Sequence, residues 1–220
     1  MLFLVLFLLV SALHLTESWK DHTKGRAITK PFLLILLACF YMTAAEKPSY
    51  LMLGALLTSW LGDVLLIFRG HGWFVIGGTS FTVSHILLMT VYFSFIDFQE
   101  VSWMLILPVF LLYFGISIYV MKKIRKNTPK LLFLPMWGYL LVNGIMNLFA
   151  LMVLCTYCNF GAVVLYVGAV LFFTSDCILF LVRYYKNKDL IYKKHFMVML
   201  TYLGAEFLIT LGILMLTSGH

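Results

Sequence analysis

Residues 159–183 read NFGAVVLYVGAVLFFTSDCILFLVR, and Asp176 is the one charged side chain between Asn159 and Arg183. As a helix, such a stretch satisfies its own backbone hydrogen bonds, and it exceeds the roughly 20 residues needed to cross a bilayer. Seven more runs of the same character lie near 1–18, 31–46, 50–68, 73–95, 102–121, 131–154 and 196–217. The expected architecture is all-α, a polytopic membrane bundle of eight transmembrane helices, with residues 1–220 forming a single integral membrane domain. The runs are continuous rather than alternating, which argues against a membrane β-barrel.

Composition points the same way. Apolar residues are 63% of the chain and charged residues 11%, against roughly 45–50% and 25% in a soluble domain. A water-soluble fold cannot cover that much apolar surface, which excludes a soluble enzyme, a nucleic-acid binder and a disordered chain. The net charge of +7 is explained by placement. Lys20, Lys24, Arg26 and Lys30 fall in loop 1–2, and Arg69 falls in loop 3–4. Lys122, Lys123, Arg125, Lys126 and Lys130 fall in loop 5–6, and Arg183, Lys186, Lys188, Lys193 and Lys194 in loop 7–8. Only Lys47 lies on the other side. The positive-inside rule then puts the odd-numbered loops in the cytoplasm and both termini outside. That logic holds equally for a bacterial inner (plasma) membrane and for the endoplasmic reticulum, so the compartment stays open.

The first run is read as a retained span rather than a signal peptide, because its positive charges follow the apolar stretch instead of preceding it. Cys39 and Cys177 sit inside apolar runs, as small core residues do. Cys155 and Cys158 form a Cys-x-x-Cys in outer loop 6–7, either a local disulfide or two free thiols. No second cysteine or histidine pair accompanies them to make a zinc site.

The two halves, 1–100 and 101–220, echo each other. Ser59-Trp60-Leu61-Gly62-Asp63 ahead of Arg69 parallels Phe173-Thr174-Ser175-Asp176 ahead of Arg183. Lys30-Pro31 and Leu134-Pro135 are each read as opening a span after a basic loop, since proline is favoured in the first helical turn. Four spans followed by four related ones make a parallel repeat.

Ionisable residues inside a membrane are costly and default to functional sites. Those well inside spans are His14, Asp63, His85, Asp176 and Glu206, with Glu46 near an end. His14 is read as structural, near the outer end of its helix. His85 is balanced between a neutral core residue and a site residue. Stripes at i, i+4 spacing put Ser59 with Asp63, Ser80 with Ser84, Tyr139 with Asn143 and Asn147, and Tyr202 with Glu206 and Thr210, each on one helix face. Serine and threonine faces, with Gly62, Gly144 and Gly204, most simply mark helix–helix seams. Asp63 and Asp176 differ in kind, because no cation adjacent in sequence justifies a buried carboxylate. Lys30 at the cytoplasmic mouth of the second span is either one more inside charge or a phosphate ligand.

Thr29-Lys30-Pro31, Ser59-x-x-Gly62-Asp63, His85, Ser175-Asp176 and Tyr202-x-x-x-Glu206, in this order on spans 2, 3, 4, 7 and 8, resemble the lysoplasmalogenase family, also called YhhN-like proteins. The likeness covers nearly the whole chain. Glu206 departs from the pattern, where glutamine is more usual, so its role stays open. The resemblance implies a hydrolase that cleaves the vinyl-ether bond of a lysoplasmalogen to a fatty aldehyde and a glycerophospho-base, either ethanolamine or choline. It implies no metal and no organic cofactor, and as partners a lysophospholipid substrate and the surrounding membrane lipids. Asp63 and Asp176 are the expected catalytic pair, since protonating an alkenyl carbon and activating water on the resulting cation divide between two carboxyls as in glycosidases. Lys30, His85, Asn143, Asn147, Tyr202 and Glu206 are the expected substrate-binding residues. Two other readings share these features: an ion-coupled transporter, and a non-catalytic lipid-binding protein.

Overall fold

The computed structural model describes residues 1–186 and 191–218. Lys188, counted above among the basic loop residues, lies outside them. Among the described residues the chain forms eight helices and no strand: α1 Leu2–Trp19, α2 Thr23–Ala44, α3 Tyr50–Leu65, α4 His71–Phe93, α5 Trp103–Ile124, α6 Lys130–Tyr157, α7 Phe160–Tyr184 and α8 Lys194–Ser218. Seven are long and apolar enough to cross a membrane, and α3, at 16 residues, is shorter. The protein is thus an integral multi-pass helical bundle.

Three boundaries differ from the sequence reading. Pro31 does not open α2 but lies inside it, eight residues after Thr23, and Pro135 likewise lies inside α6. The polar segment 23–30 stays helical because it is tied down. Arg26 pairs with Asp21 at 3.0 Å, and the Thr29 hydroxyl meets His14 Nδ1 at 2.7 Å. Lys30 is therefore two turns into its helix, not at its mouth. The third boundary is the end of α3 at Leu65, where a run to residue 68 was expected. Leu66–Gly70 leaves the helix, with Gly70 at φ 133°, a conformation that favours glycine. His14, one turn from the end of α1 beside loop 1–2, sits at the basic end of the bundle and not the outer one.

The helices sort by how much surface they bury. In α1 the buried stripe Phe7, Ser11, His14, Ser18 recurs at steps of four and three, the mark of a peripheral helix with one inward face. In α6 and α7 buried residues occur on most sides, so these helices are central. The tightest seam joins α7 to α8. A Cβ on Gly212 would lie 2.6 Å from that of Leu165, and one on Gly168 would lie 2.8 Å from the Ile209 nitrogen. Small residues let backbones approach where no hydrophobic effect drives association. Gly62 does the same between α3 and α4, against the Phe81 ring, whereas Gly144 and Gly204 have ordinary clearance. The α3–α4 seam is also stitched by hydroxyls. Ser80 donates to the Thr58 carbonyl at 2.7 Å, Ser84 to that of Ala55 at 2.8 Å, and Ser59 meets Ser84 at 2.8 Å. Cys155 and Cys158 are free thiols at the end of α6.

Candidate functional site

Both aspartates are buried, but they are held differently. Asp63, near the end of α3, is 2% exposed. Its Oδ1 lies 3.0 Å from the Lys30 ammonium of α2, and its Oδ2 accepts the Tyr202 hydroxyl of α8 at 2.8 Å. The structure thus supplies the cation that no neighbour in sequence offers. Asp176 of α7 has neutral partners. Its Oδ2 accepts both the Tyr139 hydroxyl and the Asn143 amide of α6, each at 2.6 Å, and His85 Nε2 of α4 stands 3.7 Å from the same oxygen. Glu206 of α8, 1% exposed, adjoins Ser59 and Tyr202 and is within electrostatic reach of both aspartates. Asp63 and Asp176 also feel each other's charge.

The expected site residues therefore gather in one region, contributed by α2, α3, α4, α6, α7 and α8. Their roles there divide. Asn143 holds Asp176 directly. Asn147 donates to the Asn143 side-chain and backbone oxygens, both at 3.0 Å, and accepts from Tyr113 of α5 at 3.0 Å. Asn147 thus orients Asn143 rather than facing open space. Aromatic rings fill the middle. Phe172 lies 4.7 Å from the His85 ring and 5.5 Å from the Tyr202 ring, edge-on to both. Both His85 nitrogens, Glu206 Oε1 and the Tyr92 hydroxyl are buried without a hydrogen-bond partner among the described residues. Native proteins rarely leave such groups unpaired, so water or a bound ligand is the expected partner for them.

Two spaces flank this core. A cleft of about 550 Å³ at the basic end is lined by Lys24, Arg26, Lys30, Arg69, Arg183 and His195, with His14 and the turn Leu66–Gly70 completing its wall. Because Pro31 has no N–H, the carbonyl of Ala27, another residue of the cleft wall, receives no bond from the residue four positions on. The second space is a slot of about 80 Å³ between α4, α6 and α7, with Asp176 and Tyr139 among its lining residues. Leu66 borders both. Beside it Arg183, of the cleft, lies 4.2 Å over the ring of Phe74, which lines the slot. Asp176 lines the slot, whereas Asp63 lines neither of these spaces and is paired with Lys30 of the cleft. Several contributors escape a reading of the sequence. Arg183 and His195 look like ordinary loop cations, and Phe81 and Phe172 look like ordinary apolar residues. Tyr139 was visible only as the head of the asparagine stripe. No group of three His, Cys, Asp or Glu side chains placed to hold a metal occurs among the described residues.

Fold and site together define a multi-pass helical membrane protein whose buried carboxylates lie between a basic cleft and an apolar slot. The chain belongs to the YhhN family, whose profile matches residues 25–213. Comparison with curated proteins and with solved structures gave no match.

Proposed function

We propose that the protein is a lysoplasmalogenase, hydrolysing the vinyl ether of a lysophospholipid to a fatty aldehyde and a glycerophospho-base. The observation that carries this reading is the order of environments along one path. A cationic cleft suits a phosphate, buried carboxyls suit acid–base work, and a narrow apolar slot suits one hydrocarbon chain. Lys30, shared between the cleft and Asp63, links the first two.

The partner sets support a division of roles. The hydrogen bonds to Asp176 converge on Oδ2, which leaves Oδ1 to carry a transferable proton. Asp176 delivers that proton to the alkenyl carbon one removed from the ether oxygen. An oxocarbenium-like cation forms, with its charge shared between the ether oxygen and the adjoining carbon. Asp63, paired with the Lys30 ammonium, acts as the carboxylate that stabilises that cation through space and takes a proton from the attacking water. The resulting hemiacetal gives its hydroxyl proton to Asp176 as its carbon–oxygen bond breaks, and Asp63 passes the proton it took from water to the departing glycerol oxygen, releasing aldehyde and alcohol with both carboxyls restored. Glycosidases divide the handling of a related cation in the same way. Purified protein given lysoplasmalogen in detergent should release one aldehyde per glycerophospho-base. Binding without turnover points instead to a lipid-binding protein, and ion-dependent flux in vesicles points to a transporter.

The same reading sets the topology. The basic cleft faces the cytoplasm, with both termini outside. Single cysteines replacing Lys24 or Lys126, in a background without native cysteine, should resist an impermeant thiol reagent in intact cells. Labelling of either overturns the orientation.

A further inference from the structure

The slot beside Asp176 has features that a reaction centre alone does not require. It runs between α4 and α6 over their first three turns at the basic end, where Thr79 and Pro135 on its rim are exposed on the outer face of the bundle. On a membrane protein that face looks into lipid, so the slot opens sideways into the bilayer. Its polar wall groups are spoken for: the Thr79 hydroxyl donates to the Val75 carbonyl at 3.0 Å, that of Thr82 to Gly78 at 2.9 Å, and that of Tyr139 to Asp176. What remains is hydrocarbon with one carboxyl at the inner end. At about 80 Å³ against about 550 Å³ for the cleft, the slot is narrow where the cleft is roomy. Gly78 makes part of that room, since a Cβ built there meets no atom within 4 Å.

We propose that the α4–α6 slot is a lateral portal and seat for the single hydrocarbon chain of a lysophospholipid. The chain slides in from the bilayer between Gly78 and Pro135, and its ether end comes to rest at Asp176. The head group passes over Leu66 into the cationic cleft. A two-chain lipid meets a slot with room for one chain, so the site selects lysolipids. This inference rests on the reading of the site as a lysoplasmalogenase, and it adds where the chain lies and how it arrives.

Two measurements test it. The first uses the full-length protein in lipid nanodiscs with a non-hydrolysable ether lysophospholipid that carries a diazirine in its chain. Photolysis should label α4 between Phe74 and Thr82 and α6 between Leu132 and Tyr139. Labels confined to other helices overturn the proposal. The second uses Gly78→Leu, a change that fills the slot and improves the helix, because glycine is the poorest helix former after proline. Displacing about two methylenes of bound chain corresponds to roughly tenfold in affinity. Long-chain substrate at limiting concentration should therefore be hydrolysed about tenfold more slowly by Gly78→Leu, and the loss for a short-chain, water-soluble vinyl ether should be distinctly smaller. Unchanged long-chain turnover, or equal loss for both chain lengths, overturns the portal while leaving the hydrolase reading intact. If the wild type releases aldehyde from neither substrate yet is labelled in the slot, the hydrolase reading fails and the portal stands.

Discussion

Asp176→Asn should lower the rate of aldehyde release by about 10²–10⁴-fold, the usual contribution of a positioned general acid. The amide keeps the size of the carboxyl and still accepts from Tyr139 and Asn143 through its carbonyl oxygen, but it has no transferable proton. Asp63→Asn should cost a similar factor for a different reason, because the carboxylate that faces the cation and draws the proton from water is gone. Asp176→Asn should be recovered folded, since a neutral amide is easier to hold in a membrane than a carboxylate, whereas Asp63→Asn also strands the buried Lys30 ammonium and should lose stability along with activity. Initial rates on lysoplasmalogen, with size-exclusion profiles alongside, check both effects. Near-normal turnover in either variant removes that residue from the chemistry. Glu206→Gln should be milder, because Glu206 adjoins Tyr202 and Ser59 without lining either space.

Lys30→Met should destabilise the protein by about 3–5 kcal/mol, the cost of leaving one half of a buried ion pair uncompensated. The side chains of Lys30 and Asp63 are only 15% and 3% exposed, so water screens the pair poorly. The double variant Lys30→Met with Asp63→Asn should recover most of that loss and stay inactive, because the charge is removed along with its partner. Thermal unfolding in detergent reads the stability and aldehyde release reads the activity. A single variant as stable as the wild type, or a double variant no better than the single, means that the pair does not carry this energy.

The helix count was legible because the apolar runs are continuous and separated by basic loops. Helix ends were less so. Pro31 and Pro135 were read as first-turn residues, yet each lies inside a helix whose start is polar, and hydropathy is blind to a polar helical turn. The early end of α3 was hidden for the opposite reason: Leu66, Ile67 and Phe68 are apolar, and only their geometry makes them a cleft wall. The candidate site was legible as a set of side chains, since carboxylates stand out against an apolar background. Its pairings were not. Lys30 and Asp63 lie on different helices, Tyr202 and Asp63 are 139 residues apart, and Tyr139 and Asp176 are 37 apart, separations at which no sequence periodicity operates.

The shortness of α3 has a consequence for the membrane itself. Sixteen residues span about 24 Å, less than the roughly 30 Å of a bilayer's hydrocarbon. A span too short for its surroundings draws the polar boundary inward or thins the lipid beside it. Here the residues that follow α3 form the wall of a basic cleft, so under the proposed function the aqueous surface dips toward Asp63 and a lysolipid need not rise to meet it. A lysolipid lifted out of the bilayer forfeits about 0.8 kcal/mol for every methylene brought into water. Water that descends to the ether bond leaves the chain in hydrocarbon throughout, and none of that extraction energy is required.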